Sequence, residues 1–155
     1  MSVLPLVLRP DAWDLPLFVH VAGAMVLVGT ALLAGVALAG GLRAAGSGQG
    51  ATLTRFGFRT LLLGALPAFI VMRVGAEWIV SKEDIEDPAW VGVGFITSDG
   101  GALLLIAGLI TAGIAQKRMG RGDGASGLTR AATILTLVLL AAMLVAVWAM
   151  STKPT

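Results

Sequence analysis

Leu61-Leu62-Leu63-Gly64-Ala65-Leu66-Pro67-Ala68-Phe69-Ile70-Val71-Met72-Arg73-Val74-Gly75-Ala76-Glu77-Trp78-Ile79-Val80 is a run of twenty residues that carries only two charges. Roughly 20 mostly apolar residues are what an α-helix needs to cross the hydrocarbon layer of a bilayer. The stretch therefore reads as the body of a transmembrane span, drawn at 56–80. Its two charges, Arg73 and Glu77, lie one helical turn apart. A charged side chain at such depth costs at least roughly 2.5 to 3.5 kcal/mol on insertion scales, so each demands a partner, a water-filled cavity or a role. Pro67 lies near the middle of the span. It removes one backbone donor and crowds the carbonyl four residues earlier, which predicts a kink over 63–67.

Outward from this run, three further apolar stretches follow the same rule, at 15–40, 90–116 and 129–150. The 155 residues are 57% hydrophobic and 13% charged, with mean hydropathy +0.91. A soluble domain carries about 25% charged residues. The expected architecture is one all-α unit, a four-helix transmembrane bundle with the lipid bilayer as its main partner. Cysteine is absent, which removes disulfides, thiol redox chemistry and thiolate metal sites. The formal charge of +2 and pI near 9.7 do not indicate nucleic acid, because the basic residues fall in short connections between apolar spans. Residues 1–14 have no cationic segment before Val3 to Leu8, so no cleaved signal peptide is expected. Heavy use of Ala, Gly, Leu, Val and Arg suits a bacterial chain, and the expected location is the cytoplasmic (inner) membrane.

The connections carry the topology. Residues 41–54 include Gly46-Ser47-Gly48-Gln49-Gly50 and read as a flexible loop. Residues 81–88 form the one acidic loop, and 117–127 are basic and Gly-rich. Arg43, Arg55, Arg59, Lys117, Arg118, Arg121 and Arg130 fall on one side, while Arg9, Lys82 and Lys153 fall on the other. Seven cations against three place both termini outside by the positive-inside rule, an N-out, C-out arrangement. Trp13, Trp78, Trp90 and Trp148 all lie near the outer interface, where an aromatic belt is expected. The third span has two readings. Thr97-Ser98-Asp99-Gly100-Gly101 can break it, with Ser98 or Asp99 capping a helix that starts at Gly100; alternatively the helix is continuous and Asp99 lies inside it, the preferred reading.

This topology places four ionisable residues at similar depth in the outer half: His20, Arg73, Glu77 and Asp99. They form the candidate site for a small polar or ionic ligand, or for protons. Arg73 and Glu77, spaced i, i+4, can pair along their helix, although the cation-first order is the less favourable one. The pair could simply neutralise itself and staple the bundle, or Arg73 could present a fixed charge to an anion. Asp99 is the better proton candidate, because its charge depends on whether it meets Arg73. His20, the sole histidine, shares a helix face with Gly23, Ala24, Thr30, Ala31 and Ala34, small residues that let helices approach closely. It is a weak candidate metal ligand that would need Asp99 and Glu77 beside it. Bis-His haem ligation within one subunit is excluded by counting.

The segment Leu17-Phe18-Val19-His20-Val21-Ala22-Gly23-Ala24-Met25-Val26-Leu27-Val28-Gly29 resembles the first helix of several small membrane families, among them CopD-like copper-resistance proteins, HemJ-type protoporphyrinogen oxidases and uncharacterised four-span bacterial proteins. The HemJ resemblance implies haem as cofactor, a functional first-helix histidine at His20 and a lysine on a later helix. No span here contains a lysine, and Val28 stands where tryptophan is common before the glycine. The whole layout, with 59–78 its most distinctive part, looks most like the four-span group. The leading expectation is a non-enzymatic membrane protein that binds its ligand or protons for transport or sensing. The alternatives are a haem-linked membrane oxidoreductase and a structural accessory subunit. Four short spans enclose little space, so a conduction path would require a homo-oligomer.

Overall fold

The structure is a computed structural model that describes residues 14–81 and 89–152. Its elements are α1 (Asp14–Arg43), α2 (Gly48–Thr60), a π-helical turn (Leu61–Ala65), α3 (Leu66–Val80), α4 (Ala89–Gly120) and α5 (Ser126–Thr152). The α2 helix, the π turn and α3 run on without a gap, giving four helices long and apolar enough to cross a membrane. The shortest of these apolar helices has 24 residues. At about 1.5 Å per residue it exceeds the roughly 30 Å of a hydrocarbon core.

What lies on the outside decides the solvent. Phe18 (68%), Met25 (71%), Leu63 (73%), Ile96 (77%) and Leu103 (71%) are mostly exposed, and Trp148 on α5 is nearly as open. Large apolar side chains thus face outward from every span, as they must where the surroundings are hydrocarbon. The interior is filled by smaller groups. Ala31, Ala34, Ala65, Ala112 and Ala132 are buried beside Leu27, Leu38, Leu61, Leu105 and Leu139. With no hydrophobic gain from leaving lipid, helices associate through such close van der Waals contact.

The four spans form a square. The first span packs on the second and on α5, and α4 packs on α5 and α2. The α4 helix lies against α2 far more extensively than against α3, so the second span leans away from it toward Val80. Between the two halves sits the π turn, in which the Leu66 N–H donates to the Leu61 carbonyl five residues back. Pro67 cannot donate to the carbonyl of Leu63, and its ring displaces that group; the wider turn accommodates both effects. The kink expected over 63–67 thus takes the form of a π turn over Leu61–Ala65.

One expectation changes, and the preferred continuous reading of the third span holds. Residues 41–54 are not a flexible loop, because α1 runs to Arg43 and α2 begins at Gly48. Ser47 makes this early start possible by accepting a hydrogen bond from the Gly50 N–H at 3.2 Å, which caps α2. The α4 helix passes through Thr97 to Gly101 without a break, so Asp99 lies inside a helix and caps nothing. An unbroken ladder satisfies every backbone group internally at this depth, which a bilayer rewards more strongly than the Gly-Gly pair opposes. Residues 82–88 of the acidic loop, Arg9, Trp13 and Lys153 lie outside the described residues.

Candidate functional site

Two i, i+4 pairs face one another across α3 and α4. On α3, Arg73 and Glu77 share a helix face, and Nη2 of Arg73 lies 2.9 Å from Oε1 of Glu77. On α4, Phe95 and Asp99 do the same. Nη1 of Arg73 lies 3.0 Å from Oδ1 of Asp99, and the guanidinium carbon stands 4.9 Å from the centroid of the Phe95 ring. The cation therefore uses one nitrogen for each carboxylate and rests on an aromatic face whose quadrupole attracts it. Where α3 and α4 diverge, this long side chain spans the gap.

Charge counting gives the site its character. One guanidinium stands against two carboxylates, leaving one net negative charge. The side chain of Arg73 is 28% exposed, that of Glu77 53% and that of Asp99 71%. The carboxylates therefore form the open side of the cluster and the cation its base. Such an arrangement can accept a proton or hold a small cation. It is poorly suited to an anion, because the positive group is already committed to two acceptors. Ser98, beside Asp99, is buried with an unpaired hydroxyl, so the polarity of α4 at this level continues into the bundle.

His20 stands apart from the three. Its Nδ1 lies 2.9 Å from the carbonyl oxygen of Met72, across the interface of α1 and α3. A carbonyl can only accept, so Nδ1 carries a proton and donates it. The contact depends on two glycines. A Cβ on Gly75 would lie 2.6 Å from the His20 backbone nitrogen, and one on Gly23 would lie 2.5 Å from that of Met72. The small-residue face seen around His20 is thus the surface on which the second span docks, and Gly23, Leu27, Ala31 and Ala34 on it are buried.

The structure brings Arg73, Glu77 and Asp99 into one cluster, while His20 is held by the backbone of the residue next to Arg73. Counted along their helices from Asp14, Val80 and Gly94, His20, Arg73 and Asp99 lie roughly 8 to 11 Å from that end of the bundle, and Glu77 about 4 to 5 Å from it. Phe95 is the member that sequence reading missed; its signal is the i, i+4 spacing to Asp99. Among the described residues, no three His, Cys, Asp or Glu side chains converge as a metal site would require. Were a haem bound, His20 would be the residue to hold its iron, through Nε2, since a ligating histidine commonly donates its other ring N–H to a carbonyl. The chain has no second histidine for the opposite position. No family model, characterised protein or solved structure matches this chain.

Proposed function

We propose that this multi-pass membrane protein is non-enzymatic and uses the cluster of Arg73, Glu77 and Asp99 to bind a single positive charge, a proton or a monovalent cation, in transport or sensing. The observation that carries the reading is the sharing of one guanidinium by two carboxylates, which leaves one negative charge to be neutralised. Neutralisation at this depth removes the cost of an uncompensated charge in a low-dielectric surrounding. The arginines and lysines from Arg43 to Arg59 and from Lys117 to Arg130 lie toward the other end of the bundle. By the positive-inside rule that end faces the cytoplasm, and the cluster opens toward the outer face of a bacterial inner membrane. His20 is a positioning residue, since it pins α1 to the Met72 carbonyl and so fixes the helix that carries Arg73. Passage across the membrane would require a homo-oligomer, because four spans enclose little space.

Purified protein titrated with sodium, lithium or potassium chloride, at an ionic strength fixed with N-methylglucamine chloride, tests this reading. Its melting temperature should rise with one of these cations, as binding to the native state requires, or a pH dye should register proton uptake that Asp99→Asn lacks. If neither response occurs, or if Asp99→Asn retains both, the proposal is wrong.

A second reading, a haem-linked oxidoreductase similar to HemJ-type proteins, is favoured by the hydrogen bond from Nδ1 of His20 to the Met72 carbonyl, the contact a ligating histidine commonly makes with its other ring nitrogen. Haem would supply electron-transfer chemistry, and His20 would hold it on one side. A visible spectrum decides: a Soret band lost in His20→Ala supports haem, and its absence after haem addition excludes it.

A further inference from the structure

At the opposite end of the bundle, α2 and α4 frame an open groove of about 590 Å³ lined by Ala51, Thr52, Arg55, Gln116, Lys117, Gly120 and Arg121. We infer that this groove binds the phosphate of an anionic phospholipid headgroup or of a soluble phosphate ester between Arg55 on α2, Lys117 on α4 and Arg121 in the turn directly after α4. Three cations from α2, α4 and that turn converge on one concave surface, and no carboxylate lines it. Among the described residues no ion pair engages any of the three. Asp123, in the turn that follows, uses its backbone N–H to close the end of α4 on the Arg118 carbonyl. The Thr52 hydroxyl donates to the Gly48 carbonyl, so the donors left for an anion are the two guanidiniums, the ammonium and the Gln116 amide.

Like charges gathered without a counter-ion repel, and an anion relieves that repulsion. Guanidinium groups match phosphate oxygens in pairs, and the ammonium adds a point charge. The groove also lies at the right level. The apolar run of α2 begins at Phe56, and that of α4 ends at Ala115. The lining residues therefore straddle the boundary between hydrocarbon and headgroups, where basic pockets between transmembrane helices take lipid phosphates. The volume is within the roughly 300 to 1,000 Å³ typical of small-molecule sites. This inference is independent of the cluster at the other end.

The test uses the full chain in mixed micelles, with melting temperature followed against dioleoylphosphatidic acid or dioleoylphosphatidylglycerol in dioleoylphosphatidylcholine, and separately against glycerol 3-phosphate at fixed ionic strength. At least one anionic phosphate probe should stabilise the protein, and which arm responds separates a lipid from a soluble ligand. In the variant Arg55→Gln/Lys117→Gln/Arg121→Gln the half-maximal concentration should rise at least about tenfold, given the usual contribution of each basic residue to anionic-lipid binding. The variant Arg43→Gln/Arg59→Gln/Arg118→Gln loses the same charge outside the groove and should respond like the wild type. Should the groove variant fail to fold, Lys117→Gln and Arg121→Gln made singly should each weaken the response about fivefold. No stabilisation by any probe, or equal loss in the groove and control variants, would overturn the inference.

Discussion

Arg73 holds its place through two ion pairs and an aromatic face, so its loss should be costlier than the loss of either carboxylate. In Arg73→Gln, Glu77 and Asp99 face each other with no cation between them. The expected destabilisation is about 1 to 3 kcal/mol, below the 3 to 5 kcal/mol of a fully buried broken pair because both carboxylates are partly open. Unfolding in detergent checks it. The triple variant Arg73→Gln/Glu77→Gln/Asp99→Asn should recover most of the loss, since no charge is then left unpaired; if it is as unstable as the single variant, packing and not charge is responsible. For His20→Ala the expected loss is about 0.5 to 1.5 kcal/mol, the net worth of one hydrogen bond. At this scale the sequence was half legible. Spacing alone paired Arg73 with Glu77, and topology brought Asp99 to their depth. The part played by Phe95 depends on how α4 is rotated about its axis, which its i, i+4 spacing to Asp99 does not fix by itself. The partner of His20 is a backbone carbonyl, and a carbonyl leaves no mark in residue identity.

The elements that set this geometry are the π turn and the close approach of α1 to α3. A π turn carries one residue more than the α-helix it interrupts, so removing its cause should rotate α3 by up to about 100° relative to α2. In Pro67→Ala a donor for the Leu63 carbonyl is restored. Spin labels on Val74→Cys and Ile96→Cys, both exposed positions in a chain free of cysteine, should report a shifted distance distribution; an unchanged distribution would mean that packing, not proline, maintains the turn. Gly23→Ala and Gly75→Ala each place a methyl against the backbone of the opposite helix and should cost about 1 to 3 kcal/mol. Gly100→Ala meets nothing within 4 Å, and should be neutral or stabilising by up to about 1 kcal/mol. Proline announced the distortion at sequence level but not its form, because a kink and a π turn answer the same missing hydrogen bond. The early start of α2 was hidden by its polar, Gly-rich composition. Ser47 supplies the cap that composition concealed.

For the whole molecule, length and apolarity alone led to four spans, and the structure arranges them as a square with large apolar groups outward and alanines inward. The two ends differ in chemistry. One end gathers cations that have no ion pair among the described residues around a groove, and the other holds a cation shared by two carboxylates. The central claim is that the second end carries one negative charge which a positive ligand neutralises, and a charge series tests it most directly. Calorimetric titration with acid and with sodium chloride should be run on Arg73→Gln, wild type and Asp99→Asn, whose clusters carry two, one and no net negative charges. Affinity for the positive ligand should follow that order, tightest in Arg73→Gln, at least about tenfold weaker in wild type and absent in Asp99→Asn, as the attraction between opposite charges requires. Equal affinities in the three proteins, or weakest binding in Arg73→Gln, would contradict the account and leave the cluster as an ion-pair staple between α3 and α4.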